Sequence, residues 1–172
     1  MTAQQQQLTS AQQKILYPKP LNATGKFNAK VDDIPLDVQT KTLTHDFDRA
    51  IYGITGRHAD NSVTVKEFYI QLPDNIEVDK IFRLEDSELT KIRVWYTVKS
   101  PTDHYAVECI NGILTVRELN HKDLKIVCAV IGDTNTDPHG NTHNLNIELN
   151  LQLNTRLARG WEHGYRSARQ PS

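Results

Sequence analysis

The chain has little of what defines several common protein classes. Its 172 residues include two cysteines, one methionine and 7% aromatic residues. Two cysteines are too few for a disulfide-stapled scaffold. There is no run of about 18 apolar residues, which a transmembrane helix requires, so we expect no membrane partner. The first residues contain no basic stretch followed by an apolar one, and we expect no secretory leader.

Motifs of catalysis and phosphate binding are also missing. No serine or cysteine lies in a Gly-x-Ser-x-Gly turn, and the stretch 53–57 lacks the Gly-Lys-Ser/Thr ending of a phosphate loop. His45 next to Asp46, and His58 near Asp60, place imidazoles close to carboxylates. A catalytic base also needs a geometry that spacing does not supply. We interpret these residues as strand ends or loops, and we predict no enzymatic activity and no cofactor.

A polar stretch from Asp133 onwards resembles the start of a calcium loop. Oxygen-bearing side chains alternate as far as Asp137, which is how such loops present their ligands. Pro138 then occupies the position of the sharp-turn glycine, and the twelfth residue is Asn144 instead of glutamate. We therefore predict a polar connection between two strands and no metal site.

Two further pairs of residues have metal or redox chemistry as an alternative interpretation. His139 and His143 are four residues apart, a spacing that suits zinc ligands on a helix, but Pro138 opposes a helix there. Cys109 and Cys128 each lie in an apolar run. Buried free thiols are the simpler prediction, and a bridge between them is the alternative.

The charge is unevenly distributed along the chain. Residues 1–31 carry +4, residues 32–153 carry −8 and residues 154–172 carry +3, for a net charge of −1. Basic segments flanking an acidic body indicate docking on an acidic partner. Terminal charges that only aid solubility are the alternative. Nucleic-acid binders usually have a basic stripe on the folded domain itself, so we favour a protein partner over a nucleic acid.

The N-terminal part of the sequence predicts an extended arm over residues 1–40. The run of glutamines at positions 4–7 is of low complexity and cannot form a core by itself. Pro18 and Pro20 then exclude a helix or a central strand. The apolar residues around them need a surface to cover, and we predict partner contacts for Ile15, Leu16, Tyr17 and Leu21.

The C-terminal part, residues 154–172, predicts a basic aromatic tail. Arginine and aromatic side chains are typical of interface hot spots, and they also suit stacking on bases. A loose tail, with a short helix over residues 155–169, is a further alternative. We predict a protein contact through Arg156, Arg159, Trp161, Tyr165 and Arg166.

Between these segments, residues 41–153 predict a core of strands. Residues 145–153 alternate apolar and polar over five repeats, which indicates a half-buried strand. Residues 124–131 form a continuous apolar run, typical of a strand covered on both faces. Asn111-Gly112 lies between two apolar runs and predicts a tight hairpin. With further strands near residues 63–72 and 91–99, and a short helix in 79–89, the fold class is an all-β antiparallel sandwich or barrel.

In this general character, the chain resembles the small auxiliary structural proteins of tailed bacterial virus particles. The features that carry the resemblance are the glutamine run, the arm at residues 15–21 and the strand at residues 145–153. The resemblance implies a β-sandwich that acts as a cement, decoration, neck or tail component. It implies location in the virion after synthesis in the host cytoplasm, contacts with other virion proteins and a homo-oligomer.

We therefore expect a capsid-associated cement or decoration protein whose arms lock neighbouring subunits. A neck, tail or baseplate subunit is the near alternative. A ligand- or carbohydrate-binding module is the second, with Trp95 and Tyr96 as its aromatic candidates.

Overall fold

Alternation of apolar and polar residues builds almost the whole described molecule. The computed structural model describes residues 21–153, which form ten antiparallel strands. The strands are β1 (Leu21–Val31), β2 (Ile34–Asp37), β3 (Thr40–Asp46), β4 (Ile51–Ala59), β5 (Val65–Pro73), β6 (Ile81–Arg83), β7 (Arg93–Lys99), β8 (His104–Asn120), β9 (Lys125–Thr134) and β10 (Asn144–Leu153). A 3-10 turn (Leu84–Asp86) and one α-helical turn (Ser87–Thr90) precede β7.

The sheet closes on itself into an antiparallel β-barrel. Its strand order is β10-β9-β8-β7-β5-β4-β3-β1-β2, and β1 also pairs with β10. That closing pair runs from Ala23 opposite Leu153 to Val31 opposite Leu145, over nine residue pairs. Closure removes most of the open strand edges that invite aggregation. The all-β prediction is confirmed.

Two long strands, β1 and β8, form the corners of the barrel. β1 pairs with β3 only through Leu21 and Asn22, and then turns to run along β10. β8 pairs with β7 over its first residues and with β9 over the remainder. A bulge at Ile110 accompanies this change of partner, and bulges bend strands in this way.

The predicted hairpin at Asn111-Gly112 is wrong, because β8 continues through it as one strand of 17 residues. Gly112 does have a positive φ, of 129°, which favours glycine. This φ lies in the bend that follows the bulge, and there is no turn at this position. A Cβ on Gly112 would lie 2.2 Å from the carbonyl oxygen of Ile131. The backbone of β9 therefore approaches β8 at a distance that only glycine allows.

The predicted boundary of the arm also needs correction. Residues 21–40 were assigned to the arm, but they form β1, β2 and the start of β3. Phe27, Ala29 and Val31 alternate into the core, and the ring of Phe27 lies where a Cβ on Gly56 would be. Only three of the eleven residues of β1 are buried, too few to predict a strand from periodicity. Residues 1–20 and the helix predicted in 155–169 lie outside the described residues.

The core fills the barrel with the inward residues of all the long strands. The largest fully buried side chains are Tyr52, Phe68, Leu43, Ile54, Ile70, Leu72, Ile92, Leu114, Ile126, Leu145, Ile147 and Leu151. Strand β10 follows the predicted alternation. Strand β9 does not follow its prediction, because only one of its faces is covered. Ile126, Cys128 and Val130 point inward, whereas Ile131 is 51% exposed.

Gly112→Ala tests the bend in β8. We expect a loss of about 1–3 kcal/mol in the free energy of unfolding, because an L-residue is strained at this φ and its Cβ meets the β9 backbone. Urea unfolding measures the change. Gly140→Ala is the matched control, since Gly140 also has a positive φ but has open space around its Cβ position. Equal losses in the two variants would contradict the crowded bend.

Candidate functional site

One end of the barrel concentrates aspartates and histidines, and we call it the aspartate end. It is formed by the β1–β2 turn, the loop after β4, the turn before β8 and the loop between β9 and β10. The chain enters at Leu21 and leaves at Leu153 at the opposite end, which we call the terminal end. Loops at the end of a rigid scaffold are common places for functional residues.

His143 lies at the centre of the aspartate end, between two carboxylates. Its Nδ1 is 2.9 Å from Oδ2 of Asp32, and its Nε2 is 2.8 Å from Oδ2 of Asp137. Asp32 belongs to the β1–β2 turn and Asp137 to the β9–β10 loop, so one imidazole joins two segments that are 105 positions apart in sequence. Its side chain is 14% exposed, and the ring of Tyr105 stacks against it with centroids 6.2 Å apart.

Backbone hydrogen bonds hold both carboxylates in place. Asp137 is buried, and its Oδ1 accepts the backbone N–H groups of His139 and Asn141. Asp32 accepts the N–H of Asn144 through Oδ1, and its own N–H donates to the carbonyl of that residue. A side chain that bonds nearby N–H groups in this way rigidifies a loop without regular secondary structure.

The proton affinities of the three groups follow from this arrangement. Burial opposes the charge on His143, but the hydrogen bonds and charges of Asp32 and Asp137 outweigh it and raise the His143 pKa. Burial likewise opposes the charge of Asp32, but the Asn144 N–H and His143 outweigh it and lower the Asp32 pKa. The N–H of Asn141, and then His143, lower the Asp137 pKa. The favoured state is an imidazolium between two carboxylates.

This geometry makes His143 a structural clamp. A catalytic histidine directs one ring nitrogen to a carboxylate and leaves the other to face a nucleophile or substrate. Both nitrogens of His143 face carboxylates. Within residues 21–153, no three His, Cys, Asp or Glu side chains form a group that could hold a metal ion.

Three other histidines pair with aspartates and connect further segments. His139 Nε2 is 2.7 Å from Asp103 Oδ1, across the aspartate end. His58 pairs with Asp60 at 2.7 Å, so these two predicted neighbours do meet. His45 pairs with Asp74 at the terminal end.

His45 does not pair with its neighbour in sequence, Asp46. Its Nε2 lies 3.1 Å from Asp74, and its ring packs on Phe47 and Tyr52 at the terminal end. Asp46 instead accepts the backbone N–H of Arg49 within the β3–β4 turn. The strand alternation separates adjacent side chains, which is why these two diverge.

The two cysteines are free thiols in the core, as the simpler interpretation predicts. Cys109 lies opposite Thr134, whereas Cys128 lies opposite Val116. Burial raises the pKa of each thiol to about 12. Because the thiolate is the reactive form, both groups are poor nucleophiles and poor metal ligands.

The predicted partner-binding residues fall mostly outside the described part. Leu21 is the first residue of β1, is half-buried and pairs with Leu43. The other predicted contacts lie in residues 1–20 and 154–172, outside the described residues: Ile15, Leu16, Tyr17, Arg156, Arg159, Trp161, Tyr165 and Arg166.

The structure reveals an apolar surface that the sequence analysis missed. Ile113 and Ile131 are paired across β8 and β9 and are 43% and 51% exposed. Ile81 on β6 is 64% exposed and lies beside them, opposite Thr115. We call the outer surface of β6, β8, β9, β10 and β1 the isoleucine face. In the sequence, the signal for the isoleucine face is the unbroken apolar run of β9, which by itself predicts a strand covered on both faces.

The aromatic candidates for ligand binding lie on opposite sides of the sheet. Tyr96 is buried in the core, and Trp95 is half-buried on the outer surface. Trp95 is paired there with Tyr69 across β5 and β7. The two outward rings therefore share a surface, and Tyr96 does not contribute to it.

His143→Gln tests the clamp through the pH dependence of stability. A raised histidine pKa stabilises the fold fully below the ordinary value of 6.5, and this contribution is lost as the pH rises through the raised value. The lowered aspartate pKa values stabilise above 3.8, and that contribution is lost on acidification. Urea unfolding at pH 5.5 should show a loss of about 1–3 kcal/mol, because charged hydrogen bonds disappear, with a smaller loss at pH 8.5.

The exposed His104 provides the control, since His104→Gln should change stability little at either pH. A loss in His143→Gln that is the same at pH 5.5 and pH 8.5 would show that the proton on His143 does not contribute.

Comparison with protein-family models, with curated proteins and with solved structures gives no significant match to this chain. Within residues 21–153, no helix has the length and apolar character needed to cross a membrane.

Proposed function

We propose that this chain is a non-enzymatic structural protein of a virus particle. In this proposal it is a capsid-associated cement or decoration protein that locks neighbouring subunits through its terminal segments. The neck, tail or baseplate of the particle is the alternative location. The observation that carries the proposal is the pairing of Ala23 with Leu153, which places the two points where the terminal segments join the described barrel close together.

The distribution of charge supports docking of both segments on an acidic neighbour. Residues 21–153 contain 14 basic and 20 acidic residues, a net charge of −6. Residues 1–20 carry +2 and residues 154–172 carry +3. Opposite charges on two parts of one chain favour contacts between copies or with another acidic protein, and they raise association rates.

The length of the N-terminal segment suits a contact with a neighbour. Twenty residues in extended form span roughly 65 Å, at about 3.3 Å per residue. The closing strands of the barrel have nine paired positions, which correspond to about 30 Å. A fully extended segment of this length is longer than the closing strands, and its apolar residues at positions 15–17 are four to six positions from Leu21 in sequence.

Apolar burial alone would not hold such a segment in place. At about 25 cal/mol per Å², burial of 400 Å² contributes roughly 10 kcal/mol, whereas ordering 20 residues costs about 1–2 kcal/mol each. The segment must therefore add backbone hydrogen bonds, most simply as an extra strand on a neighbour's sheet.

A ligand- or carbohydrate-binding module is a second candidate, and one observation favours it. Tyr69 and Trp95 are cross-strand partners on the outer surface of β5 and β7, and paired aromatic rings can stack on a sugar. Both rings are half-buried, which leaves limited area for such a ligand. The terminal segments have no role in this candidate.

Removal of residues 1–20 tests the proposal. The truncated chain should keep the barrel, because the closing strand begins at Leu21, but its mass by light scattering should fall below that of the full-length chain at the same concentration. Removal of residues 1–13 alone is the matched control, since it deletes the glutamines and keeps the apolar residues at positions 15–21. An unchanged mass after removal of residues 1–20 would contradict docking between copies through this segment.

A second measurement tests the location in a virion. Particles purified from the source of this sequence should contain the chain in a fixed ratio to the main shell protein, measured by quantitative mass spectrometry. The chain without residues 1–20 should not be incorporated. Particles that lack the full chain would contradict the proposed location.

A further inference from the structure

The isoleucine face contains a depression of about 290 Å³ that has a mainly polar lining. Its polar lining residues are Lys26, Asn28, Arg117, Glu148 and Asn150, and Val127 and Ala129 of β9 supply its outward apolar part. Ile131 lies two positions along β9 from Ala129, on the same face of the strand. A volume of this size holds roughly ten water molecules at about 30 Å³ each, which is ample for a branched aliphatic side chain.

Unpaired charges surround the depression. Lys26 and Arg117 stand on its rim, and Lys30 lies two alternate positions beyond Lys26 along β1, after Asn28. Within the described residues, none of these three has a carboxylate within 4.0 Å, and Glu148 on the rim has no basic group within that distance. An exposed apolar patch with unpaired charges at its edge is typical of a binding surface.

The charge of this face identifies the kind of partner that suits it. Lys26, Lys30 and Arg117 outnumber the single carboxylate of Glu148, so the rim and its border carry a net positive charge. The described part of the barrel as a whole carries −6. The terminal segments of the chain are also basic, so they would be repelled from this face. The complementary occupant is an aliphatic side chain with a carboxylate beside it.

The β1–β2 turn has this combination of groups. Ile34 is 65% exposed, although Val31 opposite it is buried. Asp33 beside it is exposed and has no ion pair within the described residues. The turn is also held rigidly, because its other residue, Asp32, is bonded to His143 and to the backbone of Asn144. A surface fixed in its bound conformation loses little entropy when it binds.

We infer that the isoleucine face binds the Asp33–Ile34 turn of a second copy of this chain. Ile34 of that copy enters the depression lined by Val127 and Ala129. Its Asp33 meets Lys26 and Arg117 on the rim. The exposed isoleucines beside the depression extend the apolar contact. This contact is formed by the barrels alone and goes beyond the proposed role of the terminal segments, so either idea can fail without the other.

Charge reversal tests the contact in the full-length chain. Asp33→Lys and Arg117→Glu should each weaken self-association at least tenfold, measured as the concentration dependence of mass in light scattering. The double variant that carries both changes should associate again, because the turn is then basic and the rim of the depression is acidic, so the two surfaces again have opposite charges. An equimolar mixture of the two single variants should associate more strongly than either variant alone, since the intact turn of one meets the intact face of the other and the two altered surfaces carry opposite charges.

The apolar part of the contact has its own variant. Ile34→Ser should weaken association by a similar factor without loss of fold, because the side chain is largely exposed. Val63→Ser is the matched control, as Val63 is 57% exposed in the loop after β4, away from the face. Lys122→Glu, in the β8–β9 turn, is the control for a change of charge.

Three results would overturn the inference. One is a full-length chain that stays monomeric at every concentration. The second is a single variant with the mass of the unaltered chain. The third is a double variant that remains as weak as Asp33→Lys and Arg117→Glu separately. The chain without residues 1–20 keeps both barrel surfaces. If this truncated chain still self-associates, and if Arg117→Glu weakens that association, the result supports the barrel contact. This holds even if docking through the terminal segment fails its own test.

Discussion

The pairing of the first described strand with the last one is the interaction on which the rest of the structure depends. β1 and β10 exchange hydrogen bonds over nine residue pairs that are more than 110 positions apart in sequence. Such a contact is slow to form because its loop must close first, but it unites the barrel into one cooperative unit. It also determines where the chain enters and leaves, and therefore how both basic segments can be used.

The closed barrel places strict demands on a few glycines and leaves the loops free for polar chemistry. At Gly112 the backbone of β9 is so close that any side chain would collide with it. The aspartate end has no such restriction, and its loops are held by imidazole–carboxylate pairs instead of apolar packing. His143 fixes the β9–β10 loop by hydrogen bonding, whereas buried leucines fix β10 by apolar packing. Its bond to Asp32 connects the rigidity of that loop to the neighbouring turn.

The sequence predicts those parts of the fold that depend on local alternation. β10 follows its period of two, and β5 and β7 lie where their β-branched and aromatic residues predict them. β1 escapes prediction because most of its residues face solvent and Gly25 interrupts it. At Asn111-Gly112 the same positive φ serves a turn or a bulged strand equally well, and only the position of β9 decides between them.

The candidate site is harder to predict, for a related reason. Asp32 and His143 are 111 positions apart, so no spacing rule connects them, whereas His58 near the end of β4 and Asp60 just after that strand are neighbours in sequence and do pair. The isoleucine face had a signal, the unbroken apolar run in β9. A run of this kind has two physical meanings, a strand covered on both sides within one chain or a strand that exposes one face to a partner. The first meaning is the usual one for a parallel sheet, and antiparallel pairing removes that preference.

Charge differs between the parts of the molecule. The basic segments join the barrel at the terminal end, Asp32, Asp33 and Asp137 lie at the opposite end, and the isoleucine face is basic at its rim. Copies with this distribution attract one another when the acidic end of one meets a basic surface of the next, and they repel one another in the reverse arrangement. In the contact that we infer, the rigid turn that carries Asp33 and Ile34 would determine the register, because one aliphatic side chain fits one depression. In the proposed assembly of identical subunits, the long terminal segments would supply reach and the short barrel contact would supply alignment.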